Sequence, residues 1–459
     1  MSLFLPSQSA QIERVNQVAE QSKLREELES VSTKSTKSIN NDLSRMTNEV
    51  LKYFEGSPAG LIQTPQQLHE YVDRCIEAGI VGVDTETTGL DRTYDTIVGS
   101  SLYYPGGVEV YIPNNHIHPI FEDRYKGQLT YAETAVEFQR MVDAGVKFVF
   151  ANADFDLAMI NKDYKVDLLP NFYYDVILAW RCIKENEKDN SLKGLYAKYV
   201  MKNKVDPKKF TDFFTPELFP FCKPETAKLY AANDAKITYE LYEWQLPYIT
   251  IGHPKCQKHK LESIAKLVWD IEYPMVAVCQ NLHRYGMYLD MTTSAILYKR
   301  YSEKQAEETK KLQQMVQDIL DKHPERKSNL KGYIPDGKSF NPKSSIQVAY
   351  LLYDVMHIPT PKGNRSTDKE ILKSLNLPVT NQILAVRSMG VLMSTFIEKL
   401  PKSAAVDGRV HGTFKSIGAD TGRLSSSDPN LQNIPSKDHY IRHMFRATPG
   451  YVMLSSDYS

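Results

Sequence analysis

Three short stretches of this sequence place carboxylates where they could hold a metal ion. In Val81-Gly82-Val83-Asp84-Thr85-Glu86-Thr87-Thr88-Gly89 an extended chain alternates its side chains, so Asp84 and Glu86 project on one face and Val83 and Thr85 on the other. Two carboxylates at the end of an apolar strand repel each other, and a hard divalent cation such as Mg2+ or Mn2+ relieves the repulsion. An ordinary strand end running into a polar turn is the alternative. In Phe148-Val149-Phe150-Ala151-Asn152-Ala153-Asp154-Phe155-Asp156-Leu157 an apolar strand runs into a helix start and sets Asp156 at the sheet's edge; a plain helix cap by Asn152 or Asp154 is the alternative. From Pro224 onward, Tyr230 and Asp234 stand at i and i+4, which stacks a phenol and a carboxylate on one helical face, functional or simply exposed.

The elements around these residues read as α/β. Thr64 to Ala78 has the pattern of a helix with Thr64 as N-cap and Pro65 at its first position, followed by a strand at Ile80 to Val83. Further strands are expected at Ile97 to Tyr103, Val108 to Ile112 and Phe148 to Phe150, with helices to about Tyr248 and a linker at Gly252-His253-Pro254. Residues 1 to about 50 are polar and weakly periodic (Ile12, Val15, Val18, Leu24, Leu28), as in a solvated helix or arm. Beyond the linker the chain is mainly helical. Asp290 or Thr292 could cap a long helix carrying Leu297, Tyr301, Leu312, Met315 and Ile319; Gly408 to Ser416 reads as a strand, and Tyr451 to Leu454 as the start of another.

The 459 residues carry 56 Lys+Arg and 56 Asp+Glu, a net charge of zero that conceals an asymmetry. Residues 1 to 252 hold 27 basic and 36 acidic side chains, and the remainder 29 basic and 20 acidic, so an acidic part precedes a basic one suited to nucleic acid. At 42% hydrophobic content, disordered and fibrous classes are excluded. No run reaches the roughly 18 apolar residues of a membrane span, and the start lacks the basic-then-apolar order of a signal peptide. The five cysteines are odd in number and scattered without a C-x-x-C pair, which fits a reducing cytoplasm better than disulfides or zinc. In the basic part, Thr421-Gly422-Arg423-Leu424-Ser425-Ser426-Ser427-Asp428-Pro429-Asn430-Leu431-Gln432-Asn433-Ile434-Pro435 gathers arginine, amides and hydroxyls able to bond phosphates and base edges; a bland polar loop is the competing reading.

The order and spacing of the three acidic stretches resemble the motifs of proofreading 3′→5′ exonucleases with tyrosine in the third motif, a domain of ribonuclease H-like fold. The resemblance implies two Mg2+ or Mn2+ ions, with Asp84 bridging them, Glu86 and Asp234 completing the first site, Asp156 supporting the second, Tyr230 orienting the attacking water and Asn152 meeting the nucleic acid. The sequence departs from the pattern at Ala151 and at Asp154, which stands where relatives often carry a basic residue.

The later segments resemble family A DNA polymerases, the bacterial polymerase I type also found in phages. Glu272, Pro274, Gly286 and Asp290 look like the entry to a thumb, and Phe340-Asn341-Pro342 with Gln347 and Leu351 like its next element. Asp407 to His411, Thr421 to Pro435 and Ile441-Arg442 with Phe445 are similar to the palm region that holds primer-template. The resemblance implies DNA contacts from Arg423, Ser425, Gln432, Asn433 and Arg442. Val452 to Ser459 is similar to the first polymerase metal motif, making Asp457 a catalytic, metal-holding aspartate.

The expected architecture is therefore a polar extension (1–55), an α/β ribonuclease H-like exonuclease domain (56–250), and a mainly α-helical thumb leading into the beginning of an α+β palm (251–459). The expected partners are DNA primer-template and single-stranded 3′ ends, in the cytoplasm of a bacterium or phage-infected cell, with no membrane. The fingers and second palm carboxylate are not recognised in the sequence, so synthesis is expected only if another polypeptide or gene splicing supplies them. A free-standing exonuclease with a DNA-holding module and a non-catalytic DNA-binding remnant are the other readings.

Overall fold

A computed structural model describes residues 36–119, 121, 123–204, 206–323, 339–360, 365–419, 421–435 and 439–456. The periodic positions from Ile12 to Leu28, and Asp457, lie outside the described residues. Among the described residues two compact units form: one takes the chain from Thr36 through Tyr285 together with Gly412–Ser427, the other Gly286–His411 together with the described residues from Asp428 onward. The sheet-bearing unit thus runs past Gly252-His253-Pro254.

That unit begins with α1 (Thr36–Tyr53), which is no solvated arm: Met46 and Val50, four residues apart, are fully buried. β1 (Gly60–Leu61) leads to α2 (Pro65–Ala78), where Thr64 accepts from the Gln67 amide and Gln67 caps in return, and Gly79 ends the helix in the left-handed region at φ 70°. β2 (Ile80–Thr87) is twice the length expected, because the carboxylate stretch continues the strand instead of turning. β3 (Ile97–Tyr103) and β4 (Val110–Pro113) follow, then α3 (Tyr131–Asp143), β5 (Lys147–Phe150) and α4 (Ala153–Asp163).

β6 (Phe172–Asp175), absent from the sequence expectations, is a short aromatic strand lying parallel to β5, and α5 (Val176–Ile183) succeeds it. After α6 (Leu192–Leu195) comes α7 (Pro224–Ile249), which includes the Tyr230–Asp234 pair, and α8 (Tyr273–Tyr285) completes this stretch. The six strands order as β1-β4-β3-β2-β5-β6, antiparallel through β4-β3-β2 and parallel elsewhere.

Helices cover both faces of the sheet. Leu68, Val72 and Cys75 of α2 and Phe138 and Met141 of α3 share a core with Val81, Val83 and Phe148. On the opposite side Ala235, Tyr239 and Tyr242 of α7 pack with Tyr103, Val149 and Tyr174. Gly82 permits this closeness, since a Cβ there would collide with the Ala235 carbonyl oxygen. The helix backbone therefore rests directly on the strand that carries Asp84. The cysteines are free.

In the second unit β7 (Met287–Tyr288) precedes α9 (Met291–Asp321), whose N-cap is Asp290, accepting from the Thr293 amide at 3.0 Å; Thr292 lies inside the helix. One face of α9 serves two cores: Leu297 and Tyr301 pack with Met389, Phe396 and Ile441, whereas Leu312, Val316 and Leu320 pack with Phe340, Leu352 and Ile383. α10 (Pro378–Leu392) lies along α9. The single strand expected from Gly408 to Ser416 is broken at His411-Gly412. β8 (Arg409–Val410) pairs with β7, and β9 (Thr413–Lys415) forms a hairpin with β10 (Ser425–Ser427) in the sheet-bearing unit. Tyr451 to Leu454 form no strand; Val452 and Leu454 are 91% and 89% exposed. Among the described residues no helix is long and apolar enough to cross a membrane.

Candidate active site

Strand alternation sets the first two carboxylates. Asp84 pairs in register with Ser101 and Glu86 with Gly99, so both side chains leave β2 on the face toward α7, while Val83 and Thr85 are buried on the other. α7, seated over Gly82, adds Asp234. Carboxylate oxygens of Asp84, Glu86 and Asp234 lie within 4.8 Å of one another. Asp156, buried on the first turn of α4, stands outside that triplet: its Oδ1 accepts from the Thr85 amide at 3.0 Å and from the Thr85 hydroxyl at 2.6 Å. Thr85 thereby ties the second acidic stretch to the strand carrying the first.

Burial and crowding set the electrostatics. Desolvation, then the charges of Asp234, Asp156 and Glu86, hold Asp84 well above the usual carboxylate range. Glu86 is pushed up to about 8 by burial and by Asp234. Asp156 rises to about 7 through burial, against the two Thr85 hydrogen bonds, and Asp234 rises through burial against the opposing pull of Lys193. Tyr230 is 3% exposed and is raised far above an ordinary phenol by burial and by Asp234, so it stays protonated and can donate. Edge-on rings of Phe54, Phe210, Phe213 and Phe214 surround it, with centroids 5.4 to 6.3 Å away.

Several working residues went unnoticed in the sequence. Lys193 on α6 donates to Asp234 Oδ2 at 2.9 Å, and its Nζ lies 3.4 Å from the Tyr230 ring centroid. Asp175, buried at the end of β6, accepts from the amides of Asn152 and Ala153 and from those of Ile177 and Leu178, so one carboxylate caps both α4 and α5. Asn152 itself makes no side-chain cap and sits at φ 75°, and Asp154 makes none either. Asp154 instead pairs with Arg92 from the loop after β2 and accepts from Gln280 Nε2 of α8 at 2.7 Å. The D-V-I-L step after an aromatic run could have marked Asp175 as an N-cap; nothing local marks Lys193.

The residues expected to grip DNA are surface groups. Arg423 is exposed in the β9–β10 loop, and half-buried Ser425 opens β10 opposite Lys415. In the other unit Gln432, Asn433 and Arg442 are exposed. The Gln432 and Asn433 amides donate to Asn430 Oδ1, and Arg442 Nε bonds the Pro435 carbonyl at 3.3 Å.

Comparison with known proteins bears on both parts of the chain. The family described as 3'-5' exonuclease matches residues 60–244, and that described as DNA polymerase family A matches residues 306–459. The later part of the chain is thus similar to DNA polymerase family A and the earlier part to the 3'-5' exonuclease family. DNA polymerase I of Pseudomonas aeruginosa is 28% identical over 400 residues, 83% of this chain and 40% of the relative. The DNA polymerase of Escherichia phage T5 is 28% identical over 429 residues, 86% and 45%. The thermostable DNA polymerase I of Thermus aquaticus is 33% identical over 214 residues, 44% and 23%.

The chain spans less than half the length of the curated relatives it matches. Among solved structures, the POL domain of Pol1 from M. smegmatis, in complex with DNA primer-template and dNTP, aligns at TM-score 0.59 and 18% identity. It covers 86% of this chain and 59% of that one, a likeness of fold. An α/β exonuclease domain followed by helical and polymerase parts accords with the architecture expected from the sequence.

Proposed function

We propose that this chain carries a divalent-metal-dependent 3′→5′ exonuclease that trims single-stranded 3′ ends, joined to a family A polymerase part that holds primer-template DNA. The observation carrying the proposal is the triplet Asp84, Glu86 and Asp234 within 4.8 Å, beside a protonated, caged Tyr230. The donor set suits a hard cation: all oxygen, crowded and half-buried, with Asp234 Oδ1 buried and lacking a hydrogen-bond partner. Asp84, Glu86 and Asp234 would hold one Mg2+ or Mn2+ and Asp84 with Asp156 a second, supplying an acidified water and charge neutralisation at the phosphate. Tyr230 donates its hydroxyl proton to orient the water. Asp175 fixes the α4 turn that bears Asn152 and Asp156, and Asn152 is assigned to the terminal nucleotide.

Arg423, Ser425, Gln432, Asn433 and Arg442 are assigned to DNA phosphates and base edges. DNA synthesis, with Asp457 as a metal ligand, is proposed only in company with fingers and a complete palm, on this or a second polypeptide.

The test is a labelled primer-template incubated with Mg2+. Shortening of the primer from its 3′ end supports the exonuclease, and its loss in the Asp84→Ala/Glu86→Ala protein, by more than about a hundredfold, ties it to this site. Degradation that survives both substitutions overturns the site. Adding candidate fingers-and-palm polypeptides with deoxynucleotides separates a complementing polymerase, which extends the primer, from a free-standing nuclease, which does not.

A further inference from the structure

The carboxylate triplet already contains a cation of the protein's own. Lys193 Nζ is 2.9 Å from Asp234 Oδ2 and 3.4 Å from the Tyr230 ring centroid, so one ammonium group touches both functional residues of α7. Its placement is built in. Ser191 caps α6 by accepting from the Gly194 amide, Asp189 in turn accepts from the Ser191 amide and hydroxyl, and a Cβ on Gly194 would run into the Asp189 carboxylate. The side chains of Lys193 and Asp234 are only 15% and 12% exposed, which removes the screening that makes surface pairs weak. The partner oxygen Asp234 Oδ1 faces the opposite situation: it is buried and has no hydrogen-bond partner. A divalent ion shared by Asp84, Glu86 and Asp234 would bring two further positive charges beside the Lys193 ammonium, and like charges a few ångströms apart in a poorly solvated site repel strongly.

We propose that Lys193 is a place-holder cation: it neutralises Asp234 and braces the Tyr230 ring while the site is metal-free, and it opposes metal entry. It thereby raises the divalent-ion concentration at which the site fills. The proposal rests on the metal-binding reading of this site.

The experiment titrates Mn2+ calorimetrically into the metal-stripped full chain, wild type and the Lys193→Met, Lys193→Gln and Lys193→Arg variants, with the melting temperature of each metal-free form measured in parallel. Lys193→Gln keeps a donor to Asp234 and guards against misfolding of the Met variant. The Mn2+ dissociation constant is expected to fall about tenfold in the Met and Gln variants and to stay within about twofold in the Arg variant. The metal-free Met variant is expected to melt below wild type, enlarging the rise in melting temperature on Mn2+ addition. An unchanged or weaker Mn2+ affinity in the Met and Gln variants overturns the place-holder role while leaving the metal site standing. Wild-type protein that shows no saturable Mn2+ uptake overturns the metal site itself.

Discussion

At the scale of single residues the site depends on groups held away from their ordinary protonation. Glu86, pushed up to about 8, and Asp156, up to about 7, keep protons in the folded metal-free protein where the unfolded chain, with carboxylates near about 4, has lost them. The folded state binds more protons over that interval, so the contribution to stability is fully present below about pH 4 and is lost as pH rises through 7 to 8. The melting temperature of chelator-treated protein is therefore expected to fall from about pH 5 to about pH 8, and added Mg2+ to flatten the slope. A metal-free profile that rises over this range contradicts the assignment. Tyr230→Phe keeps the ring inside its aromatic cage and removes only the hydroxyl. Exonuclease turnover is expected to drop about a hundredfold while Mn2+ affinity stays unchanged, a split readable from kcat beside a calorimetric titration.

At the scale of elements, placement comes from two unremarkable-looking residues. Asp175 serves four amides at the starts of α4 and α5, so Asp175→Ala leaves both helix ends without an acceptor. A loss of about 2 kcal/mol or more is expected in denaturant unfolding, together with weaker exonuclease activity, because the turn bearing Asn152 and Asp156 loses its anchor. Gly82 works by absence. Gly82→Ala would press a methyl against the Ala235 carbonyl and lift α7 from β2, costing about 1–3 kcal/mol by overpacking and moving Asp234 away from Asp84. A melting temperature and Mn2+ affinity equal to wild type would show that α7 seats on the sheet by other means.

At the scale of the whole molecule, the neutral total charge separates into an acidic part of 27 basic against 36 acidic residues and a basic part of 29 against 20. An anionic strand would meet opposite fields along the chain, and under the proposed function the carboxylate site would rely on metal ions to accept one. Primer-template binding by the Asp84→Ala/Glu86→Ala protein is expected to weaken roughly tenfold or more between about 50 and 200 mM salt, as bound counterions are no longer released with gain. Salt-independent binding would remove the basic part from the DNA interface.

Much of this was legible in one dimension because it is local. Strand alternation put Asp84 and Glu86 on one face, helical spacing stacked Tyr230 on Asp234, and Thr64-Pro65 and Asp290 announced their helices, each through contacts spanning a few residues. Where the structure departs from these local patterns, the presence or lack of a distant partner decides. An apolar run at Tyr451 to Leu454 has strand composition but no paired neighbour among the described residues, and Gly408 to Ser416 splits because its halves pair with different segments. Thr85 reaches across 71 residues to Asp156, and Lys193 across 41 to Asp234. The sequence by itself determined which acids share a strand face or a helix face; only the tertiary structure decided which three converge, which is bonded to Thr85, and which lysine stands among them, because those contacts exist only once helices and sheet have packed.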